Sequence, residues 1–274
     1  MTPTLAGEIG KQLREWIGPD FRIEFTMRGE PTLNPDAPAV IKQLRFWLPQ
    51  AQMSMFTNGT VWLKDEQLPS RLFDAGLNLL NVDCYNRTYD RFKLRAEQHV
   101  QAHPHVELSD FTQLSAYSKI RNGWRRQIIN LVPDIGDPAN PVKVRKVHNM
   151  AGNLTQAQEE RYGMQPTPPG SVHKRCARPF RELAMYCDGT IVICCHDWNG
   201  QDVLGHVRDG IANVWYGDEH YAAMCALYDK RRERGACTTC NYSGGMRLGL
   251  LRNPHTGASY RDKPRQPARQ PAAV

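Results

Sequence analysis

Apolar positions along this chain switch repeatedly between a helical and an extended rhythm. Leu5, Ile9, Leu13 and the pair Trp16 and Ile17 recur at helical spacing, which predicts an amphipathic helix over residues 3–17. Residues 21–27 alternate as a strand and run into Gly29, Glu30 and Pro31. The pattern then predicts a helix over 38–48, a strand over 53–57 closed by Asn58 and Gly59, and a helix over 65–74 stopped at Gly76. A strand over 79–83 and a helix over 88–101 follow. Successive strand–helix units with short connections imply a parallel sheet with helical crossovers. Three looser strands are expected over 106–111, 127–132 and 142–147, and the proline-dense stretch 164–171 reads as an interdomain linker.

Beyond the linker the rhythm shortens around Asp188-Gly189, a dipeptide that predicts a β-hairpin with a two-residue turn. In that register Cys187 faces Thr190, Met185 faces Val192 and Leu183 faces Cys194. Cys187 then lies roughly 13 Å from the level of Cys194, at ~3.3 Å per strand residue, too far for both to serve one small cluster. Cys195 adjoins Cys194 and is expected on the opposite face of the strand. Cys225 falls in a helical stretch, where a buried structural thiol is expected. Cys237 and Cys240 are two residues apart, a spacing that turns adjacent thiolates onto one metal centre. The four-ligand set is therefore Cys176, Cys194, Cys237 and Cys240. Its alternative is a scatter of unrelated thiols, the reading favoured for Cys84, Cys187, Cys195 and Cys225 taken singly.

Composition narrows the setting. In 274 residues there is no apolar run near the ~20 residues of a membrane span and no signal-peptide core at the N-terminus. Eight cysteines without a secretory signal read as cytoplasmic thiols available to metal. The formal charge is +7, and much of it lies in residues 252–274, where Arg252, Arg261, Lys263, Arg265 and Arg269 stand against the single acid Asp262. With four prolines and little apolar content, this segment reads as a disordered basic tail. Nucleic-acid binding through the tail is a third-ranked function class, with salt-sensitive binding as its mark.

The polar residues that can carry chemistry fall at strand ends: Gly29, Glu30 and Pro31, then Thr57 and Asn58, then Asn81 and Asp83. Ligands of parallel α/β sheets bind at the carboxyl ends of the strands, so these residues are expected to line one pocket. Here the chain resembles the radical S-adenosylmethionine superfamily, in particular its members with a C-terminal SPASM-type auxiliary cluster domain. Phe25-Thr-Met-Arg-Gly-Glu-Pro-Thr-Leu33 is similar to the second strand and Gly-Gly-Glu-Pro motif of that family, and Met55-Phe-Thr-Asn-Gly59 to the end of its third strand. Residues 79–83 are similar to the fourth strand, and residues 147–153 to a segment that often precedes the auxiliary domain. Cys176, Gly189, Cys194, Leu204-Gly205, Trp215 and the pair Cys237 and Cys240 follow the SPASM spacing. The resemblance spans about residues 3–242.

It implies a partial (β/α)6 TIM-like barrel over 1–163, a linker over 164–175, a small hairpin-and-helix cluster domain over 176–250 and a tail over 251–274. It also implies S-adenosylmethionine on Gly29, Glu30, Pro31, Thr57, Asn58 and Asp83, and one auxiliary 4Fe–4S cluster on the four cysteines, with zinc as the alternative metal. Arg28 replaces the first glycine of the motif, and Met246 stands where fuller SPASM domains carry another cysteine. The Cys-x-x-x-Cys-x-x-Cys triad of the family does not occur in these residues, so the first strand and its loop are expected to be missing. A gene start placed at an internal Met, or a triad on another chain, accounts for that. The expected function is an enzyme that cleaves S-adenosylmethionine reductively to modify a peptide or protein, inactive as this chain alone. A non-catalytic iron–sulfur or zinc module is the alternative.

Overall fold

Each helix forms where the sequence supplies a start signal and an apolar stripe. Thr2 caps the first helix, α1 (Pro3–Trp16), by accepting from the Leu5 N–H at 3.2 Å, and Pro3 occupies a first-turn position where its missing N–H costs nothing. The helix buries Ala6, Ile9 and Gly10 against α2 (Ala37–Trp47). Gly10 is needed for that approach, since a β-carbon there would stand 2.9 Å from Cβ of Trp47. Of the predicted elements, α3 (Leu68–Asp74) starts three residues late, because residues 65–67 turn through an Asp65 side-chain bond to the Gln67 N–H and Pro69 sits in the first turn. Helix α4 (Tyr89–Ala102) stacks Phe92 on Trp62, with ring centres 5.9 Å apart.

The computed structural model describes residues 1–17, 21–85, 87–110, 126–133, 175–240 and 242. The expected strand over 142–147, the linker and the basic tail lie outside these residues. The first five strands are β1 (Arg22–Phe25), β2 (Gln52–Thr57), β3 (Leu79–Cys84), β4 (Val106–Asp110) and β5 (Gln127–Pro133). All pair in parallel, in the order β1-β2-β3-β5-β4. Met53, Met55, Leu80, Val82, Ile129 and Leu131 join the helices in one apolar core. Strand alternation places Ser54, Asn81 and Asn130 on the other face. There the Asn130 amide donates to Asn81 Oδ1 at 3.0 Å, and the Asn81 amide to Ser54 Oγ at 3.0 Å, so this buried polar row is satisfied within itself. Arg45 clamps two connections by donating to Ala51 O before β2 and to Gly76 O and Asn78 Oδ1 before β3, at 2.6–2.7 Å.

A second sheet is antiparallel and three-stranded, β6 (Ala184–Met185), β7 (Thr190–Val192) and β8 (Val203–His206), and α5 (Ile211–Tyr216) and α6 (Asp218–Tyr228) follow it. The hairpin at Asp188-Gly189 is present, but its register differs from the sequence expectation by one residue. Met185 pairs with Ile191, and Ala184 with Val192. Gly189, at φ +96°, donates its N–H to Tyr186 O, so Cys187, Asp188 and Gly189 form a three-residue loop in place of a two-residue turn. Strand β8 carries no clear alternation in the sequence and was not among the expected elements.

This second unit sits on α1. Gln12 donates to Val207 O at 3.1 Å and accepts from the Ile211 N–H at 2.8 Å, which caps α5, while the Trp16 ring lies 5.7 Å from that of Trp215. Ile191, Val207, Ile211 and Val214 belong to the same apolar cluster as Ala6 and Ile9. Among the described residues no helix is long and apolar enough to cross a membrane.

The end of α4 yields a pH prediction. His99 is buried and stacks on His103 at 4.3 Å, and burial followed by the charges of His103 and His105 lowers its pKa to about 4 from 6.5. Between those values the unfolded chain binds a proton that the folded chain refuses, so stability rises with pH across this window. The contribution is fully present above the unfolded value and is lost as pH falls toward the folded one. Urea midpoints measured from neutral pH down through this window should fall for the wild type, and His99→Gln should remove about one proton's worth of that slope.

Candidate metal centre

The four cysteines singled out by spacing come from three separate pieces of backbone. Cys176 precedes a single 3-10 turn, Arg178–Phe180. Cys194 lies in the bend just beyond β7. Cys237 ends the 3-10 turn Gly235–Cys237, and the Cys240 N–H returns to Cys237 O at 3.3 Å, so the Cys-x-x-Cys segment wraps on itself. All four are buried and line one cavity together with Arg178, Ile193, His196, Leu227, Arg232 and Tyr242.

The other thiols are elsewhere. Cys84 is buried in the sheet core, Cys187 is exposed in the hairpin loop and Cys225 is buried on α6. Cys195 is separated from the cage for a reason other than the one expected. It does not alternate with Cys194 along a strand, because both lie in the bend; instead its sulfur accepts from Arg178 Nη1 at 2.9 Å.

The cage is electrostatically tense as a set of thiols. Burial pushes Cys194 far above the ordinary thiol range, against the Cys194 bond to the His196 amide, and charge on Cys195, Cys237 and Cys176 adds to the rise. Cys237 is pushed up to about 12, first by burial and then by Asp202, Cys176 and Cys240, with Arg232 opposing. Burial also raises Cys176, opposed by the backbone N–H of Arg178 and the charge of Arg232. Metal binding requires thiolates, so a positive centre between them relieves both the desolvation and the mutual repulsion. A single tetrahedral zinc with bonds of ~2.3 Å would need sulfurs about 3.8 Å apart. Among the described residues no three His, Cys, Asp or Glu side chains converge on one ion, whereas the four cysteines surround a common space. That donor set, four thiols around one cavity, suits a centre held entirely by cysteine, whether a four-iron cluster or a zinc ion.

The strand ends form a second polar site. Glu30 draws it together: Oε1 accepts from the Thr32 N–H at 3.0 Å, the Thr32 hydroxyl at 2.6 Å and the Thr57 hydroxyl at 2.7 Å, while Oε2 accepts from the Asn58 N–H at 2.7 Å. Pro31 opens the short 3-10 turn that follows. Met27 holds φ +116° and Gly29 φ +78°, so the loop from β1 stores strain at a residue with a side chain. Gly59 holds φ +72°, and a β-carbon there would overlap the Phe92 ring. Asp83 stands at the end of β3, two strands from β1, and accepts from the Tyr85 hydroxyl at 3.4 Å. Glu30, Thr57 and Asn58 are thus bonded into one unit, and Asp83 flanks it.

Arg28 ties this site to the second sheet, with its guanidinium 5.3 Å from the centre of the Tyr186 ring. Tyr186 in turn donates to Asp197 O at 2.5 Å, in the bend that follows Cys194. Sequence reasoning did not find Arg178, Arg232 or Tyr242 as neighbours of the cage. They have no spacing signature, since only the closure of the chain brings them there.

Comparison with known proteins agrees with this geometry. Residues 176–241 match the SPASM family, an iron–sulfur cluster-binding domain. None of the curated proteins matches the chain. Among solved structures, the chain is similar to BtrN in complex with AdoMet and 2-DOIA, with 19% identity and a TM-score of 0.59 over 88% of this chain and 80% of that one. It is also similar to selenomethionine BtrN in an open conformation, with 17% identity and a TM-score of 0.55 over the same shares. Residues 176–241 match a SPASM-type iron–sulfur cluster-binding domain, and over most of its length the chain shares its fold with BtrN.

Anaerobic reconstitution with iron and sulfide should load about one four-iron cluster per chain, by the four-thiolate rule. Cys237→Ala should abolish loading, and Cys225→Ala, on α6 away from the cavity, should leave it intact. Equal iron content in the two variants would overturn the assignment.

Proposed function

We propose that this chain holds an auxiliary 4Fe–4S cluster on Cys176, Cys194, Cys237 and Cys240 and belongs to an enzyme that cleaves S-adenosylmethionine reductively to modify a peptide or protein. The observation that carries the reading is the cage itself: four cysteines spread over 65 residues line a single buried cavity. When bound, such a cluster supplies one-electron transfer. The zinc alternative uses the same four thiolates, and visible absorption separates the two.

The S-adenosylmethionine part rests on the strand ends. Glu30 pins Thr57 and Asn58 to the loop of β1, which gives Gly29, Glu30, Pro31, Thr57 and Asn58 a rigid placement at the carboxyl edge of the sheet, with Asp83 beside them. AdoMet in the BtrN crystal supports this part of the reading, while the peptide or protein substrate rests on the sequence resemblance alone. Four thiolates saturate the cage, and the 274 residues contain no Cys-x-x-x-Cys-x-x-Cys triad, so this reading needs a triad-bearing segment to supply the catalytic cluster.

Anaerobic incubation of the 274-residue chain with S-adenosylmethionine and dithionite should yield no 5′-deoxyadenosine by chromatography. Addition of the triad-bearing segment should restore it. Product that depends on Cys237 in the chain alone would sink this reading, and no gain with the triad would leave a non-catalytic module. Glu30→Gln should weaken S-adenosylmethionine binding by calorimetry about tenfold, the equivalent of one charge-assisted hydrogen bond.

A further inference from the structure

A guanidinium stands against the cage without full satisfaction. Arg178 lines the cavity of the four cysteines, and its side chain is 17% exposed. Nη1 donates to Glu182 Oε2 at 2.6 Å and to Cys195 Sγ at 2.9 Å, and the guanidinium lies 4.6 Å from the centre of the Tyr242 ring. Its Nε is buried and has no hydrogen-bond partner among the described residues. A buried charged donor left unpaired is among the costlier defects a fold can carry. Glu182 does not cancel the charge, since it is shared with Arg181 at 2.6 Å. The cavity that Arg178 lines holds the four cysteines, so a sulfur of a loaded cage is an acceptor of the right chemistry for its unpaired Nε.

We propose that Arg178 sets the reduction potential of the auxiliary cluster, donating from Nε to a sulfur of the loaded cage while its fixed charge lies beside it. Four thiolates carry more negative charge than the iron–sulfur core offsets, and reduction adds one electron more. A fixed cation and an N–H bond to sulfur stabilise that reduced state over the oxidised one and raise the potential. Arg232 is buried on the same cavity, but its guanidinium is engaged by Cys240 O at 2.6 Å and Tyr242 O at 2.7 Å, which makes it a brace for the Cys-x-x-Cys turn. Arg178 is a positioning and tuning residue, and it touches the centre only through the sulfur.

The inference rests on the iron–sulfur reading of the cage, and one experiment separates the two. The 274-residue chain is reconstituted anaerobically and titrated with dithionite in the presence of mediators, with the reduced cluster followed by electron paramagnetic resonance. In Arg178→Met the ratio of reduced to oxidised cluster at the wild-type midpoint should fall at least tenfold, a shift of about 59 mV for a one-electron couple. Arg178→Lys keeps the charge and loses the Nε–H, and should fall about threefold. Arg71→Met, at an exposed pair with Asp65, should match the wild type. A loaded Arg178→Met protein with the wild-type midpoint overturns the proposal. Should the Met variant fail to load, the Lys variant decides in the same way: a lowered midpoint supports it, and an unchanged one overturns it. Wild-type protein that takes up no iron removes the iron–sulfur reading and this inference with it.

Discussion

Four thiols share one buried cavity, and the turns of the C-terminal unit are arranged around it. Burial lifts the pKa values of Cys176, Cys194 and Cys237, and neighbouring thiolates lift them further. The cluster of buried residues there consists of Cys176, Cys194 and Cys237 packed with Ile193, Ala223 and Leu227. In this small satellite cluster the cysteines are half of the buried residues, while Ile191, Val207, Ile211 and Val214 tie the unit to the larger core. Short turns, in place of long strands, present the ligands: a 3-10 turn after Cys176, a bend at Cys194 and a 3-10 turn ending at Cys237. Turns bring a thiolate close to its own backbone N–H groups, and the Arg178 and His196 amides use this to lower the cost of ionising Cys176 and Cys194.

The two polar sites are mechanically joined. Gln12 of α1 caps α5, and α1 packs through Gly10 on α2, so the second sheet is held to the helical layer of the first. Along another route Arg28, in the strained loop after β1, meets Tyr186 of the hairpin, and Tyr186 bonds the bend that follows Cys194. A substituted position in the glycine motif therefore has a structural use. The larger residue reaches across to the cluster unit, and Met27 carries the backbone strain beside it. Glu30 meanwhile spends its carboxylate on Thr32, Thr57 and Asn58. Its role at the strand ends is to fix two loops relative to one another as well as to present charge.

Local pattern determined a great deal. Among the described residues apolar periodicity located the helices α1 to α4 and the parallel strands β1 to β5, because burial on one face imposes its period directly on the sequence. The Cys-x-x-Cys pair, Cys176 and Cys194 were legible as a set for a similar reason, since ligand spacing along the chain reflects how a turn must close. Glu30, Thr57 and Asn58 were legible as strand-end polar residues that a parallel sheet gathers at one edge, and the structure joins these three by hydrogen bonds. The structure also departs from the expected register at Asp188-Gly189, where a positive-φ glycine suits both a two-residue and a three-residue hairpin loop, and only pairing with β7 and β8 selects between them.

Tertiary structure alone decided the rest. Strand order β3-β5-β4 could not be read, because periodicity reports that a strand is buried and not which strand lies beside it. Asn81 and Asn130 meet across that order, 49 residues apart. Arg178, Arg232 and Tyr242 surround the cage by chain closure, with nothing in their spacing to announce it. Sequence by itself determined which residues could be ligands and which faces must be buried, since both follow from local chemistry and period. The charges placed beside the thiolates depend on distances through space between segments far apart in the chain, and only the folded arrangement sets those.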